Sequence, residues 1–279
     1  MASGRKIDTR NLLYHYLQRD LHDVDPELFR VLAAGLVSRL GVWLSPEIYQ
    51  RLPLLVPYAR RDPYSRGDRA AGIPDQWGSP DREGYFRDDN SLVKGVPRSL
   101  TVASSFRLYR ARRVGTGFVA AHLWRKTSSQ EAAARNPLTY SFVPNLVWLP
   151  KEVAGMSDLE GSFVQRYLQR VSLTVYRDAP VLSEHRGLSE RIWRLLPAPV
   201  TDGELAVPPR EMLSFFTPDE AFFLRRAGII RGVAAALSDG RPTRKVVSTR
   251  YTEGIPSVAD ETREHLAQFL RAYADAVAA

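Results

Sequence analysis

The sequence has no cysteine, which removes disulfides, thiolate zinc sites, iron–sulfur clusters and cysteine nucleophiles in one step. Lysine is scarce: there are five, leaving 34 of the 39 basic residues as arginine. Nowhere do about 18 apolar residues run together, the length a helix needs to cross a bilayer. The leading Met-Ala-Ser-Gly-Arg-Lys is polar and lacks the apolar core of a signal peptide. The expectation from these absences is a cytoplasmic protein that engages no membrane.

What is present reads as an ordinary globular chain of 279 residues, 44% hydrophobic and 25% charged, with a net charge of +8. That length suits one large domain or two small ones. Arginine offers a rigid bidentate fork to phosphates and guanine edges. Its excess therefore permits a nucleic-acid partner, although a GC-rich coding sequence gives the same bias.

The patterning predicts an α+β fold, with helical N- and C-terminal regions around a central β-hairpin. Residues 1–98 hold helices over 9–19, from Asp25-Pro26-Glu27 to Gly41, and from Ser45-Pro46-Glu47 toward Leu52. The acid or serine before proline is a helix-opening signal. Residues 56–98 read as an irregular Arg/Asp/Gly/Pro-rich segment with scattered aromatics, suited to a recognition element. In 99–200, strands over 99–109 and 117–124 are expected to pair as a hairpin around Val114-Gly115-Thr116-Gly117. Phe142–Leu149 is apolar, a helix should run toward Arg170, and a further strand is expected at 171–176. Residues 201–279 return to helices from Thr217-Pro218-Asp219-Glu220 and from Ser257.

Of five histidines, His15, His22, His185 and His265 read as surface or packing residues, and none forms a metal-ligand pair at helical spacing. His122 differs because it closes the apolar string Gly117-Phe118-Val119-Ala120-Ala121-His122. Twenty-three residues after it stands Asn145, in the string Pro144-Asn145-Leu146-Val147-Trp148-Leu149-Pro150. This order resembles the His–Asn–His (HNH) endonuclease family, whose ββα-metal module ends a hydrophobic strand in a catalytic histidine. There a loop leads to an asparagine in an Asn-Leu-Val context, and a helix then supplies a metal ligand.

The resemblance spans residues 117–158 and implies a metal-dependent DNA endonuclease, such as a restriction or defence enzyme. His122 would be the general base and Asn145 would orient it or tie the loop. One divalent cation, Mg²⁺ or Mn²⁺, would steady the leaving oxygen, and double-stranded DNA would be the partner. A homodimer is compatible with that role. Arg125, Lys126 and Lys151 would hold phosphate, and so would Arg107, Arg110, Arg112 and Arg113 of the run Arg107–Arg113. The chain departs from the family at two ligand positions, Ala121 and Ala154. Asp158, one turn beyond Ala154, is the expected replacement ligand, with Asp88 and Asp89 as further candidates. The competing reading is a noncatalytic nucleic-acid-binding protein that uses the basic strands, with His122 a satisfied strand histidine and Asn145 a turn residue. Asp88-Asp89-Asn90-Ser91-Leu92-Val93-Lys94 lacks the acid-x-Lys tripeptide of another nuclease pattern.

Overall fold

The two proline junctions open helices as expected. Asp25 caps α1 (Pro26–Leu40) by accepting from the Leu28 amide at 2.9 Å. Ser45 caps α2 (Pro46–Arg51) through the Ile48 amide. In each, proline occupies a first-turn position whose N–H would have no helical partner. The computed structural model describes Tyr16 and residues 21–62, 78–200, 205–243 and 247–279. The helix expected over 9–19 lies almost wholly outside the described residues, as does much of the expected recognition element.

Among the described residues seven strands follow in chain order: β1 (Val42–Leu44), β2 (Ala59–Arg61), β3 (Phe86–Asp88), β4 (Thr101–Ala103), β5 (Phe118–His122), β6 (Leu146–Pro150) and β7 (Ser214–Thr217). Five of them make one sheet in the order β4-β7-β1-β6-β5, while β2 and β3 pair in parallel by themselves. The large sheet thus takes strands from each of the three segments set out by the sequence. Its middle is dry: Val42, Trp43, Leu44, Trp148 and Phe216 are fully buried, and Trp148 meets Phe216 edge to face at 5.4 Å.

The hairpin expected from 99–124 does not form. β4 and β5 lie on opposite edges of the sheet, and β5 instead pairs antiparallel with β6. After β4 the chain folds back on that strand, the Val102 amide donating to the Arg112 carbonyl and the Ala111 amide to the Val102 carbonyl, both at 2.9 Å, around half-buried Tyr109. Its hydroxyl donates to the Leu40 carbonyl at 3.0 Å and its ring packs on Phe106 and Phe118. The strand expected at 171–176 is also absent, since those residues complete a helix.

The described parts of 56–98 hold β2, β3 and the short α3 (Ser91–Gly95). Further on come α4 (Phe163–Tyr176), α5 (Ser183–Leu195), α6 (Glu220–Asp239) and α7 (Asp260–Ala278). α4 packs beside α1 through a 2.9 Å bond between the Ser38 and Tyr167 hydroxyls, and Tyr176 donates to the Leu44 carbonyl in β1. α6 and α7 pack along each other, and the Tyr273 hydroxyl bonds the Leu54 backbone. No helix among the described residues is long and apolar enough to cross a membrane.

Candidate functional site

The β5–β6 pair sets the site. Register runs from Phe118 opposite Pro150 to His122 opposite Leu146, so the histidine ends an edge strand just where Asn145 enters the other. Between them the chain makes a long excursion that must be closed. Fully buried Asn145 closes it: its Oδ1 accepts from the Trp124 amide at 2.7 Å and its Nδ2 donates to the Thr139 carbonyl at 2.9 Å. The first bond pins the start of the excursion and the second its end. From α4, the Gln165 and Gln169 amides both donate to the Leu123 carbonyl. Asn145 is therefore the loop tie, and no described bond joins it to His122.

His122 is 8% exposed. Its Nε2 lies 2.9 Å from the Tyr140 carbonyl, and only a protonated Nε2 can make that bond, so Nδ1 is left as the acceptor. No described residue bonds Nδ1. The Tyr140 ring stacks on the imidazole, 5.3 Å away and 15° from parallel. Burial, opposed by the Tyr140 bond and helped by the nearby Arg61 and Arg125 charges, lowers the His122 pKa to about 4. The imidazole is neutral at physiological pH, as a proton acceptor must be.

Tyr140 is itself fixed from behind. Its hydroxyl donates to buried Asp88 at 2.7 Å; Asp88 also accepts from Tyr251, Ser91 and the Leu92 amide. Burial and the Asp88 charge raise both tyrosine pKa values, that of Tyr251 to about 12, which keeps the hydroxyls protonated as donors. Asp88 is thus committed to four donors and does not face the histidine's cleft. Asp89, whose carboxylate accepts from the Ser91 amide, is not among the lining residues either.

His122 opens on a cleft of about 510 Å³ lined by Arg61, Arg125, Arg135, Ala154 and Asp158. Ala154 and Asp158 share this wall although the chain between them is a short α-helix followed by a 3₁₀ turn. A second cleft of about 650 Å³ shares Arg61, Ala132 and Arg135 with the first and extends it toward Arg60. Asp158 is ion-paired with Arg125, and Arg135 lies 3.8 Å from Asp62. Arg61 makes no ion pair among the described residues.

A divalent cation, as an HNH-type site would require, fits these residues poorly. His122 and Asp158 are the only imidazole or carboxylate groups among those lining the first cleft, and Asp158 already neutralises a guanidinium. Three arginines face the space a cation would occupy. Among the described residues no three His, Asp or Glu side chains gather as a metal site. The donor set suits an anion.

The remaining sequence candidates lie elsewhere. Arg107, Arg110, Arg112 and Arg113 are exposed on the loop between β4 and β5, which is not a strand over most of its length. That loop leads to the Phe118 end of β5, about 13 Å along the strand from His122. Lys151 joins the same end, its amide donating to the Gly117 carbonyl at 2.8 Å. Lys126 is exposed beyond Arg125 and sits 3.9 Å from Glu160. Outside those candidates, on α6, Arg226 is buried on the Leu55 carbonyl, and Arg231 and Arg225 pair with Asp275 and Asp219.

Sequence reasoning missed Arg61, Arg135 and Tyr140. Arg61 stands on β2, more than fifty residues before His122, where no local spacing signals proximity. No family model matches this chain, and neither a curated protein nor a solved structure does.

Proposed function

We propose that the chain acts on the sugar–phosphate backbone of nucleic acid at the β5 cleft, as an HNH-like phosphodiesterase with His122 as general base. The observation that carries this reading is the imidazole held by the Tyr140 carbonyl, with Nδ1 unbonded, in a cleft lined by arginines; its lowered pKa keeps it neutral but weakly basic until a bound phosphate raises it. In the step this geometry favours, Nδ1 takes a proton from water as the water oxygen bonds to phosphorus. The opposite P–O ester bond breaks, and its oxygen takes a proton from solvent. Guanidinium groups neutralise charge on the phosphoryl oxygens. Asn145 acts as a positioning residue, because Thr139, which it holds, precedes Tyr140.

The strand–His–loop–Asn–strand–helix order supports the same reading, since β5, β6 and the Lys151–Ala154 helix follow in that sequence. A second reading, nucleic-acid binding without cleavage, is favoured by Ala121 and Ala154 at the family's ligand positions. Cleavage assays on single- and double-stranded DNA and RNA, modified and unmodified, separate the two. Nuclease action predicts that His122→Ala lowers the rate by about 10²–10⁴-fold while binding is nearly unchanged. Undiminished cleavage by His122→Ala, or none by the wild type across the panel, contradicts it.

A further inference from the structure

The Arg125–Asp158 pair has an incomplete geometry. Asp158 meets Nη2 of Arg125, whereas Nε, on the same edge of the guanidinium, is buried with no hydrogen-bond partner among the described residues. A carboxylate or phosphate that used this edge fully would take both N–H groups in parallel. Asp158 is also easily moved: its side chain is 66% exposed, and it follows a 3₁₀ turn instead of lying inside a long helix. Arg61 lines the same cleft and makes no ion pair among the described residues.

We infer that Asp158 is a placeholder for a phosphate group, which displaces it from Arg125 and is held by Arg125 and Arg61 without a metal ion. This inference rests on the reading of the cleft as a nucleic-acid backbone site, and it reverses the role expected for Asp158. As a metal ligand, Asp158 would assist phosphate binding; as a placeholder, it competes with it. The exchange is favourable because a phosphodiester oxygen pair satisfies the Nε donor that Asp158 leaves unmet. Arg61, which Asp158 does not neutralise, then adds a second cation. Exposed ion pairs contribute little, so the competition costs only a few-fold in affinity.

The test is the affinity of a fluorescein-labelled 12-nucleotide DNA strand, with and without its complement, measured by anisotropy in EDTA and again in excess Mg²⁺. The wild type binds in EDTA, and excess Mg²⁺, which competes for the phosphates as a counterion, does not tighten it. Asp158→Asn binds about fivefold tighter, and Arg125→Ala at least tenfold weaker. Glu152→Gln removes the same charge from an exposed position on the neighbouring helix and controls for net charge; it tightens binding less than Asp158→Asn. Binding that requires Mg²⁺, an Asp158→Asn protein that binds more weakly or unchanged, or equal tightening in Glu152→Gln overturns the inference. Metal-free binding through Arg125 by a wild type that cuts no substrate would remove the base role of His122 and leave the placeholder standing. Metal-dependent binding accompanied by His122-dependent cleavage would do the reverse.

Discussion

Lowering the pH should unfold this protein partly through His122, and the size of that effect follows from the site. The imidazole is neutral when folded, with a pKa of about 4, and titrates near 6.5 in the unfolded chain. The unfolded state therefore binds more protons between those values, so stability rises with pH across that window and is complete above about 6.5. Acidification from neutrality to pH 5 should remove about 2 kcal/mol through this group, rising to about 3 kcal/mol by pH 4. Burial also lowers the His185 pKa, so His122 is not the sole contributor to the pH dependence. The contribution of His122 is isolated by comparison with His122→Gln, whose amide can still donate to the Tyr140 carbonyl. Urea unfolding of both proteins at pH 7.5 and pH 5 gives the stability gap at each pH. The gap should shrink by about 2 kcal/mol on acidification, because only the wild type has this proton to gain on unfolding. A gap that stays constant would refute the assignment of a buried, neutral imidazole.

Asn145→Ala should destabilise the fold by about 2–4 kcal/mol, since it strands the Trp124 amide and the Thr139 carbonyl in a dry interior; a loss below 1 kcal/mol in urea unfolding would contradict the loop-tie role. Replacing Arg107, Arg110, Arg112 and Arg113 together by glutamine should flatten the salt dependence of DNA binding. It should leave stability within about 1 kcal/mol, because their side chains are exposed. An unchanged salt slope would show that this loop contacts no phosphate.

Local chemistry was the legible part of the fold. Asp25, Ser45 and the prolines after them announce helix starts because a cap and its proline lie within three residues of each other. The short strands β1 and β7 were not legible: β1 is three residues long and buried throughout, so it shows no alternation, and β7 alternates in burial over only four residues, with polar Ser214 on its buried side. The hairpin was misassigned for a related reason. Turn residues at 114–117 suggested adjacency, but the chain after β4 bonds back to β4 through Ala111 and Arg112, and β5 finds its partner in distant Leu146–Pro150. At the site, His122 and Asn145 were visible because a strand end and a strand start carry local pattern; Asp158 was expected near Ala154 by helical spacing, and the two line one cleft although a helix end and a 3₁₀ turn, not a continuous helix, join them. The engagement of Asp158 with Arg125 was not visible, since charge alone does not say which partner a carboxylate finds. Arg61 and Tyr140 reach the histidine through tertiary contacts that leave no trace in spacing.

The central claim is that a neutral His122, held through Nε2, faces a cleft that receives nucleic-acid phosphate. Its most direct test is a nitrogen-15 NMR titration of histidine-labelled protein in EDTA, with His122 assigned by comparison with His122→Gln. The free protein should show an Nε2–H tautomer titrating at about 4. Adding the 12-nucleotide DNA should raise that pKa, because a phosphate beside Nδ1 stabilises the imidazolium. A His122 resonance that is already protonated at neutral pH, or that is unmoved by saturating DNA, would contradict the account.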